Sequence, residues 1–307
     1  MLRQVGWYFL VPEQSLAGAK ENVAMQRRIG IEANLRTMRE AQSDLPWLNP
    51  EGVAAVVHEP QSGYADPVHC AETLVDQFAH LGGTKMFGTR CKSLLRTGDR
   101  IEGVSTDRGD FFGGFTVNAC GPWSRELAAS AHIPLPIRIF REQETVWQCK
   151  HAADMPPCSI SNGVDAIYLR PMTEGRYTIG RGFPKEYFDV DPNAYEKAAD
   201  GDVVQDILTR AQHRFYPFAN AAYLNGFASL YDVTPDWYPF IGPRSDVGGY
   251  ADASGGSGHG FKLAPALGAR LAGWLLNEKV APDIARLSHD RVLAKRLFEQ
   301  KFGGNRG

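Results

Sequence analysis

Residues 247–279 read VGGYADASGGSGHGFKLAPALGARLAGWLLNEK, a β-type run, a glycine-dense loop and then an apolar stripe of Leu263, Leu267, Leu271, Trp274 and Leu275 at helical spacing. Four of the eight residues in GGSGHGFK are glycine, against 32 in the 307-residue chain, which sets this loop apart from the background. Glycine admits positive φ and lets backbone approach a ligand closely. A helix that starts directly after the loop turns unpaired amides and the positive end of its dipole toward whatever sits there. The natural occupant carries or develops negative charge, such as a phosphate or a carboxylate. A plain connector is the competing reading. A dinucleotide fingerprint fits poorly, because Phe261 stands where the third glycine belongs and Glu278 ends the helix instead of a second strand.

Upstream, the sequence predicts a strand in MLRQVGWYFLVPE, a helix over 19–41, and a short buried strand in GVAAVVHEP ended by Pro60. Asp66-Pro67 followed by Val68, Ala71, Leu74, Phe78 and Leu81 and stopped by Gly82-Gly83 predicts a capped helix. Residues 84–121 alternate β-type runs with turns at Thr97-Gly98-Asp99 and Arg108-Gly109-Asp110, and the last run enters Gly121-Pro122-Trp123-Ser124 and a helix. From 133 to 231 the pattern is strands at 137–140, 144–149, 166–170 and 176–181, a helix around 203–215 and another strand, as in an antiparallel sheet with a helix on it. The fold class is therefore α+β.

Thirty-three Lys+Arg against 35 Asp+Glu, with 43% hydrophobic residues, excludes a polyanion-binding chain and a disordered one, so no nucleic-acid partner is expected. The longest uncharged run, residues 215–231, is broken by Pro217 and Gly226 and is short of the roughly 20 apolar residues of a bilayer span, so no membrane partner is expected. The start carries no small-residue cleavage site, which points to the cytoplasm. Cys70, Cys91, Cys120, Cys149 and Cys158 form no CxxC pair and read as reduced, mostly buried thiols without a metal.

SGHGFKLAPALG, preceded by TPDWYPFIGP at 234–243 and TVNACGPWS at 116–124, resembles the flavin-dependent amine oxidase family that includes D-amino-acid oxidase, glycine oxidase and sarcosine oxidase. SGYADP at 62–67 and IYLRP at 167–171 stand in the family's order, so the likeness runs over almost the whole chain. It implies an FAD-dependent oxidoreductase that oxidises the C–N bond of an amino acid or secondary amine by hydride transfer to flavin. It implies an α/β-type FAD-binding remnant at 63–132 and 236–290, an antiparallel-sheet substrate domain at 1–62 and 133–235, and a tail at 291–307. No catalytic base is implied.

Carried over residue by residue, Gly255, Gly256, Ser257, Gly258, His259, Gly260, Phe261 and Lys262 would lie along the flavin, with Asn118, Ala119, Gly121 and Trp123 as a second FAD-contacting turn and Cys91 near the adenine. Lys262 matches a lysine that binds the substrate carboxylate, Arg170 offers a bidentate second anchor, and His259 contacts flavin or substrate or is an ordinary loop residue. Ser229 replaces the cysteine that some relatives link to flavin, so FAD is expected to be non-covalent. Members of the family begin with a Rossmann strand and GxGxxG, and this sequence contains no GxGxxG. The alternative is thus a truncated, non-catalytic fragment or a binding subunit whose partner supplies the dinucleotide-binding half, or a self-associating chain.

Overall fold

The computed structural model describes residues 2–149, 155 and 157–299. In chain order the elements are β1 (Leu2–Gln4), β2 (Trp7–Val11), α1 (Leu16–Arg28), β3 (Asn34–Thr37), α2 (Met38–Ala41), β4 (Ala55–Glu59), β5 (Gly63–Ala65) and α3 (Pro67–His80). There follow β6 (Cys91–Thr97), β7 (Arg100–Thr106), β8 (Gly109–Phe112), β9 (Thr116–Asn118), α4 (Ser124–Ala129), β10 (Arg138–Gln148), β11 (Ser159–Asn162), β12 (Ile167–Pro171), β13 (Arg176–Arg181) and α5 (Gly201–Arg214). The last are β14 (Ala222–Val233), β15 (Phe240–Pro243), β16 (Tyr250–Ser254), α6 (Gly260–Leu275), α7 (Pro282–Ala285) and α8 (Asp290–Leu293). The α+β class is thereby established.

Eight strands in the order β14-β10-β13-β12-β11-β2-β4-β3 form one sheet. Its neighbours are antiparallel except for β11 and β2, which run parallel, a pairing the strand pattern does not announce. One face is apolar because Leu10, Trp147, Ile160, Leu169, Tyr177 and Ile179 all point to it and bury against Ile207 and Ala211 of α5 and against Phe215 and Phe218. Each such side chain contributes about 1.5–3 kcal/mol of transfer free energy. On the opposite face α1 covers the β2–β4 end through Ala19 and Val23 against Val11, Ala55 and Val57.

A second, three-stranded sheet, β15-β16-β9, packs α6 on one side through Leu271 against Ile241 and Ala251. Its other side holds Tyr250 and Phe240 in a core with Ile101, Leu94 and Ala128. β6, β7 and β8 make a separate meander.

Four expectations need correction. The helix expected over 19–41 ends at Arg28, because Gly30 takes φ +85° and closes the turn; β3 then pairs with β4. The two strands expected at 137–140 and 144–149 are one strand, β10, held along its length by β14. The opening strand is two, β1 and β2, split at Gly6 with φ +74°. Only Cys149 and Cys158 are buried; Cys70 and Cys120 are half-buried and Cys91 is exposed, since β6 opens at the protein surface. All five are free thiols, and burial pushes Cys149 and Cys158 up to about 12.

The helix predicted from Asp66-Pro67 forms, with the Asp66 carboxylate accepting from the His69 amide at 3.0 Å. Its apolar stripe is nevertheless uncovered. Val68, Leu74, Phe78 and Leu81 are all exposed and α3 buries no residue. Phe115 and Val117 are exposed as well, and β9 pairs with β16 on one edge only among the described residues.

Candidate active site

Strand alternation and register collect a polar set on the face of the large sheet away from α5. Phe140, Glu142 and Glu144 of β10 stand opposite Tyr231, Ser229 and Phe227 of β14. Glu144 also faces Gly180 of β13, which faces Tyr168 of β12, and Arg170 faces Thr178 in the next row. Across this face Thr178 donates to Glu144 Oε2 at 2.8 Å and Tyr168 donates to Glu144 Oε1 at 3.3 Å.

Glu142 is 6% exposed and pairs with Lys185, whose Nζ also donates to the Arg181 carbonyl at 2.8 Å. Burial pushes Glu142 up and Lys185 down, so each charge depends on the other for support. Glu142 Oε1 has no hydrogen-bond partner among the described residues. Phe140, Tyr187 and Trp237 wall this region, with ring centroids 5.0 Å and 5.3 Å apart in succession.

The 255–262 loop lies over the same face. Its tight path needs positive φ at Gly255 (+73°) and Gly258 (+79°); a Cβ on Gly255 would sit 2.2 Å from Thr234 Cγ2, and one on Gly258 would sit 2.5 Å from the Tyr231 ring. Half-buried Asp232 fixes the loop from below, accepting from the amides of Gly255 at 2.7 Å and Gly256 at 3.1 Å. Burial raises its pKa and those two bonds oppose the rise. Ser257 is fully buried, its hydroxyl donating to the Gly255 carbonyl. No side chain caps α6, so its first-turn amides are left for an outside acceptor. Gly260 at that end has open space where a Cβ would point, and Phe261 is 52% exposed.

The two proposed anchors approach one stretch of chain, residues 59–64, which runs from the end of β4 into β5. The Arg170 guanidinium lies 5.0 Å from the Tyr64 ring on β5. Lys262 is exposed as a residue, yet the surrounding protein desolvates its ammonium enough to lower the pKa, and Glu59 at the end of β4 pulls the other way. His259 is half-buried at the N-cap of α6, its amide donating to the Gly256 carbonyl at 2.7 Å.

The second turn lies elsewhere on the small sheet. Asn118 is fully buried and spends its amide on Ser124 O and Tyr250 Oη, both at 2.9 Å, so it shapes the turn from inside. Ala119 is exposed, and Gly121 takes φ +52° with open space around it. Cys91, Cys120 and Trp123 line a cleft of about 330 Å³ together with Arg90 and Lys92.

The residues that sequence reasoning missed are Glu142, Glu144, Tyr168, Lys185 and Asp232. A signal existed in REQET at 141–145, charges inside a β-type run, because carboxylates in a strand's buried register rarely lack a purpose. Among the described residues no group of three or more His, Cys, Asp or Glu is arranged to hold a metal, and no helix is long and apolar enough to cross a membrane.

The profile of the DAO family, described as FAD dependent oxidoreductase, matches residues 1–274. The chain is 28% identical over 269 residues to glycine oxidase of Pseudomonas aeruginosa, covering 85% of this chain and 68% of that protein. It is 26% identical over 254 residues to 4-methylaminobutanoate oxidase (formaldehyde-forming) of Paenarthrobacter nicotinovorans, covering 79% of this chain but 31% of that protein. Among solved structures, L-proline dehydrogenase from P. horikoshii superposes with a TM-score of 0.87 at 25% identity, over 97% of this chain and 79% of that one. Against the full length of several relatives, then, this chain spans only part.

Proposed function

The chain belongs to the DAO family of FAD-dependent oxidoreductases, and from that membership we propose that it binds FAD along the 255–262 loop and oxidises the C–N bond of an amino acid or secondary amine on the sheet face beneath. The observation that carries this reading is the uncapped start of α6, with open space at Gly260, set over a face of carboxylates and phenols of which Glu142 is buried and Glu144, Tyr168 and Tyr231 are half-buried. A flavin ring fits there: it is flat, its carbonyl edge becomes negative on reduction, and the α6 amides and dipole favour negative charge. Bound there, the flavin would supply the electron-pair acceptor.

This chain's own residues do the rest. Lys262, near Glu59, and Arg170, against Tyr64, both stand by the 59–64 segment and hold a substrate carboxylate, Arg170 through its planar fork. Phe140, Tyr187 and Trp237 exclude water from the nitrogen end. Gly260, Phe261 and Lys262 direct backbone amides at the ring edge, while Asp232 keeps the loop in place. Cys91, Ala119, Gly121 and Trp123 would meet the distant end of the cofactor around the 330 Å³ cleft.

The exposed stripe of α3 and the one-sided β9 favour a companion proposal, that a strand-and-helix unit carrying the pyrophosphate cradle pairs with β9 and covers exposed apolar surface, in the same polypeptide or from a partner subunit. On this reading residues 63–132 and 236–290 are the cofactor half, and 1–62 and 133–235 the substrate half.

Titration with FAD, followed by visible absorbance, tests the assignment. Gly260→Val should weaken FAD binding at least tenfold, about 1.4 kcal/mol, without moving the thermal melt, because the added side chain enters space the protein leaves open. Gly258→Val is unsuitable, since it collides with Tyr231 whether or not flavin is present. Lys262→Met should leave FAD affinity alone and raise the KM for sarcosine or L-proline about tenfold. Equal FAD affinity in Gly260→Val and parent removes the loop from the site.

A further inference from the structure

Resting on that reading of the same sheet face, the geometry points to Glu144 as the acceptor of the substrate ammonium's proton, reached through Tyr231 and Tyr168. An alkylammonium keeps its proton to about pH 10 in water, and a nitrogen that holds the proton has no lone pair to assist oxidation of its C–N bond. The site therefore needs somewhere to put one proton.

The structure provides a connected route. Tyr231 packs against Gly258, where the glycine loop meets the sheet, and is hydrogen-bonded to Tyr168. Tyr168 in turn donates to Glu144 Oε1 at 3.3 Å. Tyr168 and Glu144 are two strands apart, joined through Gly180 of β13, which faces both. Glycine is required there: a Cβ on Gly180 would lie 2.3 Å from the Tyr168 hydroxyl, so the bare backbone is what lets the phenol cross to the carboxylate.

The charges agree. Lys185 is paired with Glu142 and acts on Glu144 only at longer range, which leaves Glu144 held directly by the hydroxyls of Tyr168 and Thr178 and in no ion pair among the described residues. The groups facing Glu144 are Glu142 on its own strand, Tyr168 on β12, Thr178 on β13, Lys185 after β13 with Arg181 behind it, and Tyr231 on β14. Burial holds both phenols well above their ordinary range, so neither rests as a phenolate and each gives a proton only as it receives one. In the transfer an N–H bond of the ammonium breaks and an O–H bond forms on Tyr231. The Tyr231 proton passes to Tyr168 and the Tyr168 proton to Glu144 Oε1. An ammonium and a carboxylate become an amine and a carboxylic acid, and both tyrosines end neutral as they began.

The test uses FAD-loaded protein and two probes that cannot be oxidised at the α-carbon: 2-aminoisobutyrate, which has an ammonium proton to give but no α-hydrogen, and glycine betaine, which has no proton on nitrogen. Infrared difference spectra should show a carboxylic-acid carbonyl band when aminoisobutyrate binds to the parent and none with betaine. The band should vanish in Glu144→Gln and in Tyr168→Phe, which keeps the ring and removes the middle hydroxyl, and should shrink in Gly180→Ala. Aminoisobutyrate affinity should be flat from pH 7 to 9 in the parent and in Glu144→Asp. In Glu144→Gln it should fall tenfold for each unit below the ammonium's own pKa, because only the neutral amine then binds. Aminoisobutyrate binding without the band, or with a band unchanged in Glu144→Gln, overturns the relay and leaves the amine site standing. If neither probe binds to protein that has taken up FAD, the amine site itself is overturned and the relay with it.

Discussion

Arg291→Met is expected to cost about 3–5 kcal/mol of stability, the range for stranding one member of a buried ion pair. Arg291 is 5% exposed and grips Asp236 with two bonds, Nε to Oδ2 and Nη2 to Oδ1, both at 2.8 Å. It also donates to the carbonyls of Tyr238 at 2.6 Å, Leu287 at 2.6 Å and Pro239 at 3.1 Å, and its plane lies 4.4 Å from the centre of Phe240. One side chain therefore ties α8 to the 236–240 segment that leads into β15. Methionine fills part of the volume and satisfies none of these acceptors. Asp236, 4% exposed, would lose its ion pair with Arg291 and keep the hydroxyl of Thr234 and the amides of Tyr238 and Phe298. The check is the urea midpoint of the variant and of the double change Arg291→Met with Asp236→Leu. The double variant should recover part of the loss, because an apolar pair replaces a buried carboxylate that has lost its arginine. A single variant within 1 kcal/mol of the parent (about fivefold in the folding constant) would show that the pair is not closed in solution.

The second large effect depends on pH. His289 is 2% exposed, neither ring nitrogen has a hydrogen-bond partner among the described residues, and the ring lies 5.3 Å from Phe240. Burial, with the Arg244 charge added to it, pushes its pKa from 6.5 to about 4. The unfolded chain then takes up the proton first. The stabilising contribution is complete above about pH 6.5 and is lost as pH falls toward 4, about 3 kcal/mol in all at 1.36 kcal/mol per unit. His289→Phe should therefore gain on the parent by about that amount between pH 7 and pH 4.

Asp252, fully buried and accepting from Tyr250 at 3.0 Å, has the opposite sign: burial raises it from 3.8 to about 6. The fold favours its neutral form, so its contribution is greatest near pH 4 and declines as pH rises through 6, again by about 3 kcal/mol. Asp252→Asn should gain on the parent as pH rises, the mirror image of His289→Phe. Urea unfolding at pH 4, 5.5 and 7 separates the two slopes. A pH-independent difference for His289→Phe would mean that the imidazole takes up its proton inside the fold as readily as in the unfolded chain.

What the sequence discloses here is what is decided locally. Asp66-Pro67 caps α3 and Gly82-Gly83 follows it, because an N-cap and a stop act within a few residues. The glycine loop and the helix after it are visible for the same reason. The continuity of β10 is not, because Arg141, Glu142 and Glu144 interrupt its apolar pattern for a reason that lies on other strands. The cluster of Glu142, Glu144, Tyr168, Lys185 and Tyr231 spans β10, β12, β14 and the segment after β13, so no window of sequence contains it. Asp232 reads as an ordinary strand-end acid until the loop amides are seen to land on it. The amphipathic stripe of α3 is legible, but its exposure is not, since periodicity says which side is apolar and nothing about what covers it.

The parallel contact between β2 and β11 bears on how the molecule is made. Trp7 Nε1 donates to Ser161 Oγ at 3.1 Å across 154 positions of chain, so the middle of the large sheet is a seam between segments far apart in sequence. During synthesis at about 5–20 residues per second, β2 must wait roughly 8–30 s for that partner to emerge. Until then β2, β3 and β4 form a three-stranded ribbon whose apolar Leu10 and Val56 have no α5 to rest on. Contacts this distant in sequence place the molecule among slow folders. The nascent ribbon, with the β2 edge not yet covered by β11 and one bare apolar face, is the stage at which a ribosome-associated chaperone would have most to hold.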